Sequence, residues 1–306
     1  MSTKKDSEDY CRIGSGFCGT VWARNHDDRA IKREDGGPSR SLANDFVMYN
    51  RALDSLLKLS ATKSSKQGQT IKPQVRIPKC YAFLTPQDTW WEANLTRFPA
   101  FLVGQYCPPP NIADEILSSV SNRTCLIRPY IGRTRTYGTA ADVRSRFRGF
   151  SLQNFPLHLI QMVQLGIPSN DIECSTAMMG EALATLRWLG EIDGNDVEFV
   201  LAPPPTRDDD CTAVILNVLG EHTLWILDFD LCHSISMDME GVRQAVHAFC
   251  RSDPFYPRPL TAPWTAFRRE YLRTSKNLIL NFHRDEAESR LDLANQFIEL
   301  LETQKT

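Results

Sequence analysis

One lysine and a set of acidic residues carry the chemistry this sequence offers. Asp193, Asp196 and Glu198 fall within LGEIDGNDVEFVL, residues 189–201, and Asp228 and Asp230 end the apolar run LWIL. Carboxylates gathered at strand ends can hold a cation through charge-assisted bonds. One whose pKa is raised can also take a proton from an attacking amine. Lys32 closes Arg29-Ala30-Ile31-Lys32, and a lysine on an apolar strand is costly without an acid beside it. The acid expected on the next helix is Asp45, in Leu42-Ala43-Asn44-Asp45-Phe46. Upstream, Gly14, Gly16 and Gly19 in IGSGFCGTVW fit G-x-G-x-x-G-x-V, a backbone free of side chains that can approach phosphate oxygens closely.

Each signal has a plainer explanation. Three glycines can simply make a hairpin turn, Lys32 can sit at a solvated strand end, and an acidic run can be a solvated turn. The order is more specific than any one part. A glycine loop followed by strand residues, an A-I-K lysine eleven residues after Val21, D-x4-E before an apolar strand, and L-D-F-D occur in the order of a protein kinase. A dinucleotide fold would need a helix directly after the glycines, where Thr20-Val21-Trp22-Ala23 reads as strand. The departures are also plain. No His-Arg precedes Asp193, Glu198 stands where asparagine is usual, and Asp230 replaces a glycine.

The elements that must position these residues follow from periodicity. Residues 44–59 carry Phe46, Val47, Leu53, Leu56 and Leu57 at helical spacing. The polar stretch 60–70 reads as a loop, and 77–83 and 98–106 read as strands. CPPP at 107–110 can be neither helix nor central strand, and it marks the expected boundary between residues 1–107 and 108–306. Downstream, 157–165 is short and apolar and 176–189 is a helix. Residues 197–201 and 213–231 are β-rich, with APPPTRDDDC inserted between them, and 241–251, 264–280 and 286–303 are helical. The expected fold class is α+β: a protein-kinase-like two-lobed fold with a small β-rich N-lobe and a larger helical C-lobe.

Composition excludes several classes. With 306 residues, 42% hydrophobic and a net charge of -2, the chain is neither disordered nor globally basic. Its nine cysteines include no C-x-x-C pair, and His158, His222 and His247 have no metal-ligand spacing, so reduced thiols and no metal are expected. There is no apolar signal segment at the start and no run long enough to span a membrane, so a cytoplasmic location is expected.

The blocks RAIK, IPK, MGEALA, DGNDVEFVL, LDFD and DPFYPRP, with the ending WTAF, Tyr271-Leu272 and Ser275, resemble a fungal kinase-like family of unknown function. The resemblance spans roughly residues 13–280, and NDVEFVL is its most specific piece. It implies the arginine-containing cyclodipeptide synthases of fungal secondary metabolism, which join arginine from arginyl-tRNA to a second amino acid as a diketopiperazine. On that implication Asp193, Asp196, Glu198 and Asp228 are catalytic candidates. Gly14, Gly16, Gly19, Lys32, Asp45 and Asp230 are candidates for binding substrate or phosphate, and no cofactor is needed. Arg128, Arg133, Arg135, Arg144, Arg146 and Arg148, interleaved with Tyr130, Tyr137 and Phe147, would meet a tRNA backbone and its unstacked bases. Membrane and DNA are not expected partners. An ATP-dependent phosphotransferase and a pseudokinase-like interaction module remain as alternatives.

Overall fold

The computed structural model describes residues 10–16, 19–24, 30–34, 41–61, 74–78, 110–119, 122, 126–132, 155–204, 213–252 and 254–304. They form a mixed α+β fold. Three short strands come first: β1 (Tyr10–Gly16), β2 (Gly19–Arg24) and β3 (Ala30–Arg33), paired antiparallel in that order. The glycine pattern thus lies on a hairpin, with Gly16 opposite Gly19 and Val21 opposite Lys32. At Gly19 a side chain is impossible, because a Cβ would lie 2.0 Å from the Arg33 carbonyl oxygen on β3. Helix α1 (Leu42–Ala61) follows and covers the expected helix, extended by two residues at each end.

The second sheet has five strands in the order β5-β4-β6-β8-β7. These are β4 (Ile127–Tyr130), β5 (Phe155–His158), β6 (Glu198–Ala202), β7 (Ile215–Asn217) and β8 (Gly220–Leu227). The two β-rich segments read from the sequence are its centre and one edge, since β6 pairs antiparallel with β8 over five positions. Strands β4 and β5 were not legible. Each has four residues and contains a proline, Pro129 or Pro156, and periodicity needs longer runs to show. In the segment expected as a strand at 77–83, Ile77 and Pro78 are irregular; the residue before it, Arg76, bridges Trp225 of β8. The rest of that segment, and the strand expected at 98–106, lie outside the described residues. Pro110, read as part of a break, opens helix α2 (Pro110–Ser118), where its missing N–H costs nothing.

The helices are α3 (Leu159–Gln164), α4 (Ser169–Trp188), α5 (Met239–Arg251), α6 (Ala262–Phe282) and α7 (Ala287–Thr303), the last preceded by a 3-10 turn at Arg284–Glu286. The short apolar piece at 157–165 divides between the end of β5 and α3, with His158 as the N-cap residue. Helix α4 is buried on nearly every side and is the axis of the core. It meets α6 so closely at Gly180 that a Cβ there would lie 2.7 Å from the Phe267 carbonyl oxygen. Trp188 donates to the Ser275 hydroxyl at 2.8 Å, and Arg187 donates to the Tyr271 hydroxyl at 2.7 Å while lying 3.8 Å over the Phe297 ring.

One buried carboxyl at this helix pair makes stability depend on pH. Glu181 is 2% exposed and accepts the Gln74 N–H at 2.7 Å. Burial, reinforced by the neighbouring Glu270, pushes its pKa up to about 7, against the Gln74 hydrogen bond and the more distant Arg273. Because its pKa is raised on folding, the stability it lends is full below the unfolded value and is lost as pH rises toward 7. Glu181→Gln keeps an acceptor for Gln74 without the charge. In urea titrations it should exceed the wild type by about 2 kcal/mol at pH 8 and nearly match it at pH 5. Equal stability at both pH values would show that Glu181 is ionised without penalty.

Candidate functional site

Lys32 is where the two sheets and α1 meet. Its ammonium donates to Asp45 Oδ2 at 2.8 Å and to Asp228 Oδ1 at 2.6 Å. The expected Lys32–Asp45 pair forms although aspartate is a methylene shorter than glutamate. It can do so because Asp45 lies in the first turn of α1, where a carboxylate also suits the helix dipole. Asp45 Oδ1 accepts the Phe229 backbone N–H at 2.8 Å. The neighbouring Asn44 donates to the carbonyls of Asp230 at 2.7 Å and Cys232 at 3.1 Å. One helical turn therefore grips the whole Asp228-Phe229-Asp230 segment. The buried Phe229 ring then packs edge-on against Tyr49 of α1, at 6.3 Å.

The backbone around the acids is unusual. Asp228 (φ 64°) and Asp196 (φ 61°) both adopt the left-handed conformation that residues with a Cβ rarely take. Such conformations persist where surrounding contacts enforce them, and they concentrate at functional sites. At Asp196 the enforcement includes a hydrogen bond from its N–H to the Ser252 hydroxyl at 2.9 Å.

Asp193 stands apart from the other acids. It is 4% exposed, and both its oxygens face neighbouring donors. Oδ1 accepts the N–H groups of Asn195 at 3.0 Å and His233 at 2.9 Å, and Oδ2 accepts Gln244 Nε2 of α5 at 3.1 Å. A carboxylate used this way braces the 193–198 loop against the 231–234 segment. Asn195 assists by donating to the Leu231 carbonyl at 3.0 Å. Asp230 is also buried, at 3% exposure.

Glu198 opens β6 and forms an ion pair with Arg128 Nη2 of β4. The β4–β6 pairing at Ile127 and Leu201 sets these strands side by side. Burial is the main cause that raises the Glu198 pKa to about 7. Arg128 and Lys32 oppose the rise, and Asp228 and Asp196 add to it. These four charged groups are the electrostatic surroundings of Glu198, so Asp196, Glu198, Asp228, Lys32 and Arg128 form one site. Acids outnumber bases there. The arrangement can hold a cationic group and can exchange a proton near neutral pH.

The structure gives Arg128 a partner that the sequence does not announce: its guanidinium is four-fifths buried and pairs with Glu198. Nothing in LIRPY distinguished a paired arginine from an exposed one, because its partner is distant in sequence. Arg133, Arg135, Arg144, Arg146 and Arg148 lie outside the described residues. Gly14 and Gly16 lie on β1, in the hairpin beside β3 and Lys32. Asn44, His233 and Gln244 were also missed, since hydrogen bonds to backbone groups leave no sequence pattern.

Residues 224–282, from within β8 through α6, are similar to a family described as zinc finger protein (DUF3669). No curated protein and no solved structure matches the chain. The residues in that segment do not fit zinc. A structural zinc site needs converging thiolate and imidazole ligands, whereas Cys232 is buried. Burial and the nearby Asp193, Asp45, Asp230 and Asp228 push its thiol well above the ordinary range, away from the thiolate. Cys250 instead meets Gln304 Oε1 at 2.9 Å. Among the described residues no three His, Cys, Asp or Glu side chains form a metal-binding group.

The double role of Asp45 is open to a stability measurement. Asp45→Ala removes one of the Lys32 contacts and strands the Phe229 N–H, and it should cost about 1–3 kcal/mol in urea unfolding. Asp45→Asn retains an acceptor for Phe229 and should cost less. Equal losses for the two variants would mean that the Phe229 bond contributes nothing.

Proposed function

We propose that the chain is an arginine-containing cyclodipeptide synthase that draws on arginyl-tRNA and works in the cleft of a protein-kinase-like two-lobed fold. The observation that carries the reading is Glu198, a partly buried carboxyl with a pKa raised to about 7 in an acidic site beside Arg128 and Asp228. The motif resemblance supplies the substrate class. An α-ammonium group held beside these carboxylates gives a proton to Glu198. The freed amine attacks the ester carbonyl of the other aminoacyl group, an amide bond forms, and the tRNA ribose hydroxyl leaves with a proton. A second attack of the same kind closes the ring. Both bonds form at esters already activated, one on arginyl-tRNA and one on a second aminoacyl-tRNA, so the step consumes no ATP. The excess of carboxylates suits the arginine guanidinium through charge-assisted, bidentate bonds. Residues 1–107 would form the small lobe and 108–306 the larger one.

A second reading, ATP-dependent phosphoryl transfer, is favoured by one specific feature. The glycine hairpin lies beside a strand lysine paired to a helix acid and to Asp228, an arrangement that can seat phosphates. The acids around Glu198 count against it, because they repel phosphates unless Mg²⁺ intervenes.

Purified protein incubated with tRNA, arginine, the other amino acids, ATP and the aminoacyl-tRNA synthetases, arginyl-tRNA synthetase included, should yield an arginine diketopiperazine by mass spectrometry. RNase should abolish it. No product, with ATP bound by the same sample, would favour the phosphotransferase, and neither signal would favour an interaction module. Charge reversal of Arg133 and Arg135 should lower product formation by roughly tenfold at low salt, where phosphate contacts weigh most. Undiminished product would remove these two arginines from the tRNA contact.

A further inference from the structure

Arg128 and Glu198 are brought together across 70 positions of sequence by a single strand pairing. Strand β4 lies between β5 and β6, so its backbone is held on both sides. The guanidinium is 19% exposed and the carboxylate 23%, and the arginine Nε is buried with no hydrogen-bond partner among the described residues. Among the described residues Glu198 is the one acid bonded to Arg128. Arginine suits that task where lysine would not. Its planar head approaches a carboxylate in a defined plane, and it stays charged when buried. The other charged groups that face Glu198 are Lys32 on β3, Asp228 at the end of β8 and Asp196 in the loop before β6. Two of these three push toward the neutral carboxylic acid, as burial does, and Arg128 is the strongest influence toward the carboxylate.

We infer that Arg128 is the positioning residue of this site, holding the Glu198 carboxylate in orientation and keeping enough of it ionised to accept a proton. The inference rests on the reading of Glu198 as the proton acceptor. It removes Arg128 from substrate contact and gives it a role exerted entirely through Glu198. Without Arg128, burial and the two aspartates act against Lys32 alone, so Glu198 holds its proton to higher pH and is ready to accept one only under more alkaline conditions.

The test separates this inference from the proposed reaction by titrating Glu198 directly. Carbon-13 NMR of protein labelled at the glutamate carboxyls, with Glu198→Gln to identify the signal, reads its protonation without turnover. The wild-type midpoint should lie near 7. In Arg128→Met the midpoint should rise by about one pH unit, and the pH–rate profile of diketopiperazine formation should move with it. Arg128→Lys, which keeps a positive charge but not the planar head, should bring the midpoint only part of the way back toward the wild-type value. A folded Arg128→Met protein with an unmoved Glu198 midpoint would overturn the inference. If Arg128→Met does not fold, Arg128→Lys takes its place, and a Glu198 midpoint unmoved from the wild type in that variant would overturn the inference. A shifted midpoint in a protein whose wild type makes no diketopiperazine would keep the pairing of Arg128 with Glu198 and discard the reaction.

Discussion

A lysine ammonium held between two carboxylates joins three parts of this molecule that are far apart in sequence. Lys32 lies on the third strand of the hairpin sheet, Asp45 in the first turn of α1, and Asp228 directly after β8 of the second sheet. With Asp45 removed, the half-buried lysine would lose one of its carboxylate partners, and α1 would lose one of the contacts that hold its N-terminus against the 228–230 segment. The hydrogen bonds from Asn44 and to Asp45 depend on that docking. So does the burial of Phe229 against Tyr49, since a segment with Asp228 in a left-handed conformation needs contacts on several sides.

Buried carboxyls do two different jobs in this fold. Glu181 lies in the helix core, accepts a backbone N–H and shares its surroundings with Glu270. Its protonation bears on stability alone. Glu198 has a similarly raised pKa for the same first cause, removal from water, yet it opens a strand beside Asp228 and Lys32. The difference is placement. Glu198 is close to Lys32, Asp196 and Asp228, and on the proposed reading a proton taken there near neutral pH has chemical use.

The loop that begins at Asp193 shows how one motif divides its labour. The D-x4-E spacing suggested that both acids face the reaction. Asp193 instead uses its two oxygens to tie three donors from the loop, the 231–234 segment and α5. This fixes the entry to β6 and therefore the place of Glu198. A motif reports which residues cooperate. It does not report which of them touches a ligand and which holds the other in place.

Several features were determined by the sequence alone. Helical spacing located α1, α5, α6 and α7 within two residues at each end, because burying one face repeats an apolar residue about every third or fourth position, whereas α4 begins at Ser169, seven residues before the expected start. The glycine hairpin and the Lys32–Asp45 pair were legible because local backbone geometry and the cost of a lone buried charge both constrain residue type. The tertiary structure decided the rest. Strands β4 and β5 are too short and too proline-marked to show a period, and they exist because the sheet supplies their hydrogen bonds. The left-handed aspartates, the bracing role of Asp193 and the capture of Arg128 by Glu198 depend on partners tens of residues away. The chemistry of a carboxyl depends on its burial and its charged neighbours, and the fold sets both.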